Sequence, residues 1–233
     1  MTSTGPLADA PPRLMDGAAM DYFLIETVAA LRASAGVAVA RAREIEREMV
    51  DAGLVPPPPP PAPLLKKERE RERERERESA GSTLASAVTA GKAPLDEDEE
   101  EVRVRLESIG AHVGANLAER LCRDRGLFAD TLDSVKFICK DVWIACWDKQ
   151  VDNLRTNHRG VYVLQDNAFK PISRLSSWEG RPDALRRARL YVALPAGIIR
   201  GALTRMGFAN VTVTPEINSM PSCTFQVKLP KGT

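Results

Sequence analysis

The stretch from Leu132 to Val163 constrains the fold of this chain more than any other. Cys139, Val142, Trp143, Cys146, Trp147 and Gln150 recur at three- and four-residue steps, a spacing that predicts a helix burying a broad stripe. That helix is expected to begin near Thr131 or Leu132, with Asp130 as its cap, and to reach about Leu154. A polar connector, Asp152 to Gly160, then leads into an alternating apolar strand. The segment is dense and apolar, but it offers no set of groups that could run a reaction. It reads as surface-building sequence and points to a protein that binds other proteins.

The 233 residues are near-neutral only in sum. From Met1 to Glu100 there are 13 basic and 19 acidic residues, a net of −6; the remainder has 20 and 13, a net of +7. The second half carries enough Ile, Val, Leu, Phe and Trp for an independent core, and the first half mostly does not. The N-terminus has neither a basic region nor a continuous apolar run, which argues against secretion. The longest apolar run near the C-terminus, Leu190 to Ile199, is far too short to cross a bilayer as a helix. Cys122, Cys139, Cys146 and Cys223 make no CxxC pair and read as reduced thiols in a cytosolic protein.

The organisation along the chain follows from these shifts. Residues 1–14 are expected to be disordered. Residues 15–50 form an N-terminal helical part: a helix from about Asp16, its cap, to Ser34, with Met20, Phe23, Leu24, Thr27, Val28 and Leu31 on one side. The Ala- and Arg-rich stretch to Val50 either extends it or starts a second helix. Residues 51–100 read as a disordered insert, with six prolines from Pro56 to Pro61, alternating Glu and Arg from Glu68 to Glu78, and an acidic run from Asp96. The prolines fit a spacer better than a ligand for an SH3- or WW-type module.

Residues 101–233 form the main domain. Val102, Leu106, Ile109, Val113, Leu117 and Leu121 predict an amphipathic helix ending near Gly126, with Gly114 marking a close packing contact. Residues 160–172 read as a β-hairpin turning at Asp166-Asn167. A long helix is expected from Asp183 to Met206, kinked at Pro195 and capped by Gly207. Two strands, Val211 to Pro215 and Ser222 to Leu229, close the chain. The fold class is α+β: long helices packed on an antiparallel sheet of about four strands, with the insert after the first helix.

Chemistry is sparse. His112 and His158 lack partners at metal-ligand spacing, so no metal and no cofactor is expected. There is no GxSxG, P-loop or GxGxxG motif. Asp141, Asp148 and Asp152 fall on the polar face of one helix, whereas paired catalytic carboxylates come from different elements. No basic group stands near Cys146 in sequence to activate it. Gly197 and Gly201, with Ala193 one turn earlier, make a smooth strip for tight packing against core or sheet. Arg181, Arg186, Arg187 and Arg189 form a basic patch: an exposed helix face, or a contact for an anionic membrane. Nucleic acid is not expected, because no aromatic residues interleave with the arginines.

Several of these runs resemble one family. Val135 to Trp143, Lys149 to His158 and Gly160 to Asn167 closely resemble the sixth small subunit of the transport protein particle, TRAPP. Ile109 to Gly114 with Leu117 to Arg120 is similar to that family's first core helix, Gly197 to Leu203 to its last, and Ser219 to Val227 to its closing strand. The resemblance covers about Met15 to Val28 and Val102 to Lys231. It implies a small fold shared by several TRAPP subunits that pair side by side, here with the third-subunit type. It also implies a non-catalytic scaffold role in a tether and exchange factor for a Rab-type GTPase, cytoplasmic and peripheral to Golgi and endoplasmic reticulum membranes. The third-subunit type carries a fatty acyl chain on a cysteine; Arg123 to Asp133 has none and Cys122 lies too early, so acylation is not carried over.

The expected partner-binding residues are Phe23, Leu24, Val28, Val113, Leu117 and Leu121, on the N-terminal and first core helices. Arg186, Arg187 and Arg189 are the expected contact with an anionic surface. The rival reading is a lipid or small-molecule carrier, with Trp143 and Trp147 lining a pocket between helices.

Overall fold

The computed structural model describes residues 16–56, 97–157 and 160–230. The expectations for 1–14, for most of the insert and for His158 lie outside those residues. Helix α1 (Gly17–Asp51) starts where expected, because the Asp16 side chain accepts from the Ala18 N–H. It does not stop at Ser34 but runs on unbroken for 35 residues. Leu24, Val28 and Ala35 are its buried residues. By length and composition α1 could also span a membrane, with a mean hydropathy of 1.6 over its most apolar window, 17% of it buried. Here it packs on the protein, and Arg32 pairs with Glu99 of the next helix.

Helix α2 (Glu97–Leu121) begins four residues inside the expected insert, because the acidic run is helical. Its inward stripe differs from the predicted one. Val102, Leu106, Gly110, Gly114 and Ala118 are buried, at uniform four-residue steps. Ile109 and Val113 are exposed instead. The cause is the partner helix α7 (Ala193–Arg205), which approaches too closely for large side chains. A Cβ on Gly110 would overlap the carbonyl oxygen of Leu194, and one on Gly114 that of Ile198. Reciprocally, Gly197 lies on the Glu107 carbonyl and Gly201 on the Ala111 carbonyl. The tight contacts expected at Gly114 and at Gly197 and Gly201 are therefore two halves of one helix–helix zipper. Arg200 adds a 3.4 Å ion pair to Glu107 across it.

The helix predicted over the most constraining segment is shorter and interrupted. Helix α3 (Thr131–Phe137) is capped by Asp130, whose side chain accepts from the Asp133 N–H at 2.7 Å. A π-helical turn over Ile138–Val142 follows, then α4 (Trp143–Trp147). The helix stops at Asp148, which takes a left-handed conformation with φ 55°. The stretch read as a connector is strand β1 (Asn153–Asn157), paired antiparallel to β2 (Val161–Asp166).

The hairpin expected over 160–172 is not formed, since the chain leaves the sheet after Asp166 and enters the short helix α5 (Lys170–Ser173), with Pro171 in its first turn. The single third helix is two, α6 (Arg181–Tyr191) and α7, broken at Val192. Pro195 thus sits in the first turn of α7, where its missing N–H costs nothing. Gly207, with φ 98°, follows α7 as expected. Strands β3 (Thr212–Ser219) and β4 (Ser222–Lys228) complete an antiparallel sheet of order β1-β2-β4-β3. Pro215 is tolerated because β3 is an edge strand.

Candidate protein-interaction surface

The interior is filled where the rival reading needed a pocket. Trp143 is fully buried and stacks on Phe169 at 5.8 Å, with Phe225 and Trp147 edge-on at 5.5 and 6.3 Å. Its indole N–H donates to Asp166 at 2.9 Å. Asp166 also accepts from Lys149 at 2.5 Å and from the Ala168 N–H at 3.0 Å. Burial disfavours the Lys149 charge, but the Asp166 and Asp152 carboxylates together outweigh it, and the ammonium is held above its ordinary range. This knot ties the end of α4 to the end of β2 and turns the chain out of the sheet. It was missed in the sequence, where Asp166 reads as an ordinary turn residue.

Burial pushes the Cys139 and Cys146 thiols up to about 12 each, and raises Cys223 further. These are core thiols, and all four cysteines are unbridged. The three aspartates do not converge. Asp141 accepts from Arg125 at 2.9 Å, Asp152 accepts from Lys149 and from the Asn167 N–H, and Asp148 lies beyond the helix end. Among the described residues, no group of three His, Cys, Asp or Glu could hold a metal ion.

What the molecule presents outward is apolar surface on α1 and α2. Of the expected partner-binding residues, Phe23 is 66% exposed and Val113 40%. Leu24 and Val28 instead point into this chain's own core, and Leu117 and Leu121 are partly buried against it. Met20 and Ile109, exposed beside Phe23 and Val113 in sequence, were not among the expected residues. The signal for Ile109 was present: once Gly110 and Gly114 face inward, positions 109 and 113 are turned about 100° away. Ile109 and Val113 line an open groove of about 830 Å³ along the α2–α7 pair, with Ala111, Ala115, Thr204 and Arg205.

The arginine patch is partly neutralised. Asp183 is buried and accepts from the Ser177 hydroxyl at 2.5 Å, and pairs with Arg186 at 2.7 Å and Arg187 at 2.6 Å. The Ser177 hydrogen bond, reinforced by both arginines, holds its carboxyl below the usual carboxylate range. Arg181 is exposed beside them.

Comparison with known proteins places these features. The family described as Transport protein particle (TRAPP) component matches residues 82–230. The chain is 48% identical over 127 residues to the trafficking protein particle complex subunit 6B of Mus musculus, covering 54% of this chain and 78% of that protein. It is 44% identical over 127 residues to subunit 6A of Homo sapiens, covering 54% and 77%. A solved structure of subunit 3 from Naegleria fowleri, covalently bound to palmitic acid, aligns at TM-score 0.45 and 20% identity, covering 58% of this chain and 84% of that one. On the family match and on identity spread across most of these relatives, the chain belongs to the transport protein particle family, as a member of its sixth-subunit type.

Proposed function

We propose that this chain is a non-catalytic scaffold subunit that pairs with another TRAPP small subunit of the third-subunit type. The pair takes part in tethering and Rab-type nucleotide exchange between endoplasmic reticulum and Golgi, as a cytoplasmic, membrane-peripheral component. One observation carries this reading: Phe23, Ile109 and Val113 are exposed while the core is complete without them. Large apolar side chains gain roughly 1.5–3 kcal/mol each on full burial, so a few of them on one partner outweigh part of the cost of association. The α2–α7 zipper supplies a rigid mount for the α2 residues, which limits the ordering cost on docking.

Co-expression with a third-subunit-type protein, followed by size-exclusion chromatography, tests the pairing. A single peak holding both chains is expected. Val113→Asp and Phe23→Asp should abolish co-elution while leaving the melting temperature of the isolated chain within a few degrees. If both variants still co-elute, the interface is elsewhere. Arg186, Arg187 and Arg189 are the proposed contact with anionic membrane. Their joint replacement by alanine should weaken sedimentation of the assembled particle with acidic liposomes at low salt.

A further inference from the structure

The apolar stripe that docks α1 on the body does not end where the body ends. Leu24, Val28, Leu31, Ala35, Ala38, Ala42, Ile45 and Met49 follow one another at alternating steps of four and three. That is a 3.5-residue period, the seam of a coiled coil. Its first half is covered by this chain, since Leu24, Val28 and Ala35 are buried and Leu31 packs on the core. Its second half is mostly uncovered by the described residues, with Ala38 half-buried at its start. Arg41 to Met49 are all exposed, with Ile45 at 46% and Met49 at 39%.

The residue sizes along that second half specify an occupant. Laid antiparallel on a copy of itself, the seam sets Met49 opposite Ala38 and Ile45 opposite Ala42. Each layer then pairs one large side chain with one small one, the arrangement that fills an interhelical gap evenly. A parallel pairing would stack alanine on alanine at one end and Ile45 and Met49 on their own kind at the other. On the antiparallel edge, Arg41 of one copy comes opposite Glu48 of the other, twice by symmetry. The opposite edge brings Glu46 against Val39, with no like charges facing. The antiparallel arrangement also leaves the two bodies at opposite ends of the paired helices.

We propose that the distal half of α1, from Ala38 to Met49, is a self-pairing seam whose occupant is a second copy of this chain. The seam is short, less than two heptads, so the association is weak and concentration-dependent. It uses none of the residues assigned to the sister-subunit contact and stands independently of that reading.

Sedimentation velocity of the full chain from about 1 to about 100 μM, a range that brackets micromolar affinity, tests it. A monomer–dimer transition is expected within that range. Met49→Glu should remove it. Arg41→Glu and Glu48→Arg should each weaken it by about tenfold or more, and the double variant should restore it. Helix content by circular dichroism checks that each variant folds. A chain that stays monomeric throughout overturns the proposal. So does an association through another face, which would be indifferent to all four variants, and so does failure of the double variant to rescue.

Discussion

Helix α2 and the distal half of α1 are both rich in small residues, yet they have opposite fates. On α2, Gly110, Gly114 and Ala118 face inward and admit the backbone of α7 to van der Waals contact. On α1, Ala38 is only half-buried, and Ala42 is exposed with Ile45 and Met49. The difference lies in the partner strip. Gly197 and Gly201 on α7 admit the Glu107 and Ala111 backbone of α2, as Gly110 and Gly114 on α2 admit the Leu194 and Ile198 backbone of α7. Small side chains become a packing device only when a second strip meets them. The same helix pair then turns Ile109 and Val113 outward, so the tightness of one face sets the stickiness of the other.

The largest test of this contrast is steric. Gly201→Val places a branched side chain on the Ala111 carbonyl, which cannot move without shifting α2. A loss of about 3 kcal/mol or more, read by urea denaturation, is expected, and no comparable loss from Ala42→Val on the exposed stretch of α1. Equal costs at the two positions would show that the zipper is not what distinguishes the helices.

The Trp143–Asp166–Lys149 knot is next in size. Asp166→Asn keeps the shape but removes the charge that Lys149 and the indole N–H bind. A loss of about 2–3 kcal/mol is expected by the same measurement. Lys149→Met, which removes the other half of the pair, should cost less when added to Asp166→Asn than alone. Simple additivity would dissolve the knot into independent contacts.

The smallest effect is pH-dependent and lies at the arginine patch. The Asp183 carboxyl is held below its ordinary 3.8 by Ser177 and the two arginines. Because its folded-state value is depressed, its contribution is fully present above about pH 3.8 and is lost as pH falls through the folded value. The stability gap between the native chain and Asp183→Asn should therefore be open at pH 7 and close below pH 3.8. A gap of constant size would contradict this.

Much of this architecture was legible because local rules act alone at helix ends. Asp16 and Asp130 cap as their side chains dictate, and Gly207 follows α7. Gly114, Gly197 and Gly201 were recognisable as close contacts, but not as parts of one α2–α7 contact, because sequence spacing does not reveal which strips meet. Strand β1 was hidden because Asn153 to Asn157 holds a single apolar residue and is specified by backbone pairing to β2. The expected hairpin failed for a nonlocal reason: Asp166 does turn the chain, accepting from the Ala168 N–H, but its buried carboxylate also binds Trp143 and Lys149, and the chain leaves the sheet for α5. The expected partner-binding residues divide by exposure: Phe23 and Val113 face outward, whereas Leu24 and Val28 face this chain's own core. On α2 the predicted stripe is buried at Val102 and Leu106, but beyond them the buried face is built of Gly110, Gly114 and Ala118, and Ile109 and Val113 turn outward.

In the proposed pairing, the exposed apolar residues of α1 and α2 are covered by a sister subunit, while the α2–α7 zipper is complete within this chain. Amide hydrogen exchange of the isolated chain and of its complex with a third-subunit-type protein tests it most directly. Slow exchange across α2 and α7 is expected in both samples, with further protection gained on complex formation around Met20 to Phe23 and around Ile109 to Val113. Unchanged exchange at both of those segments in a complex that demonstrably forms would contradict it.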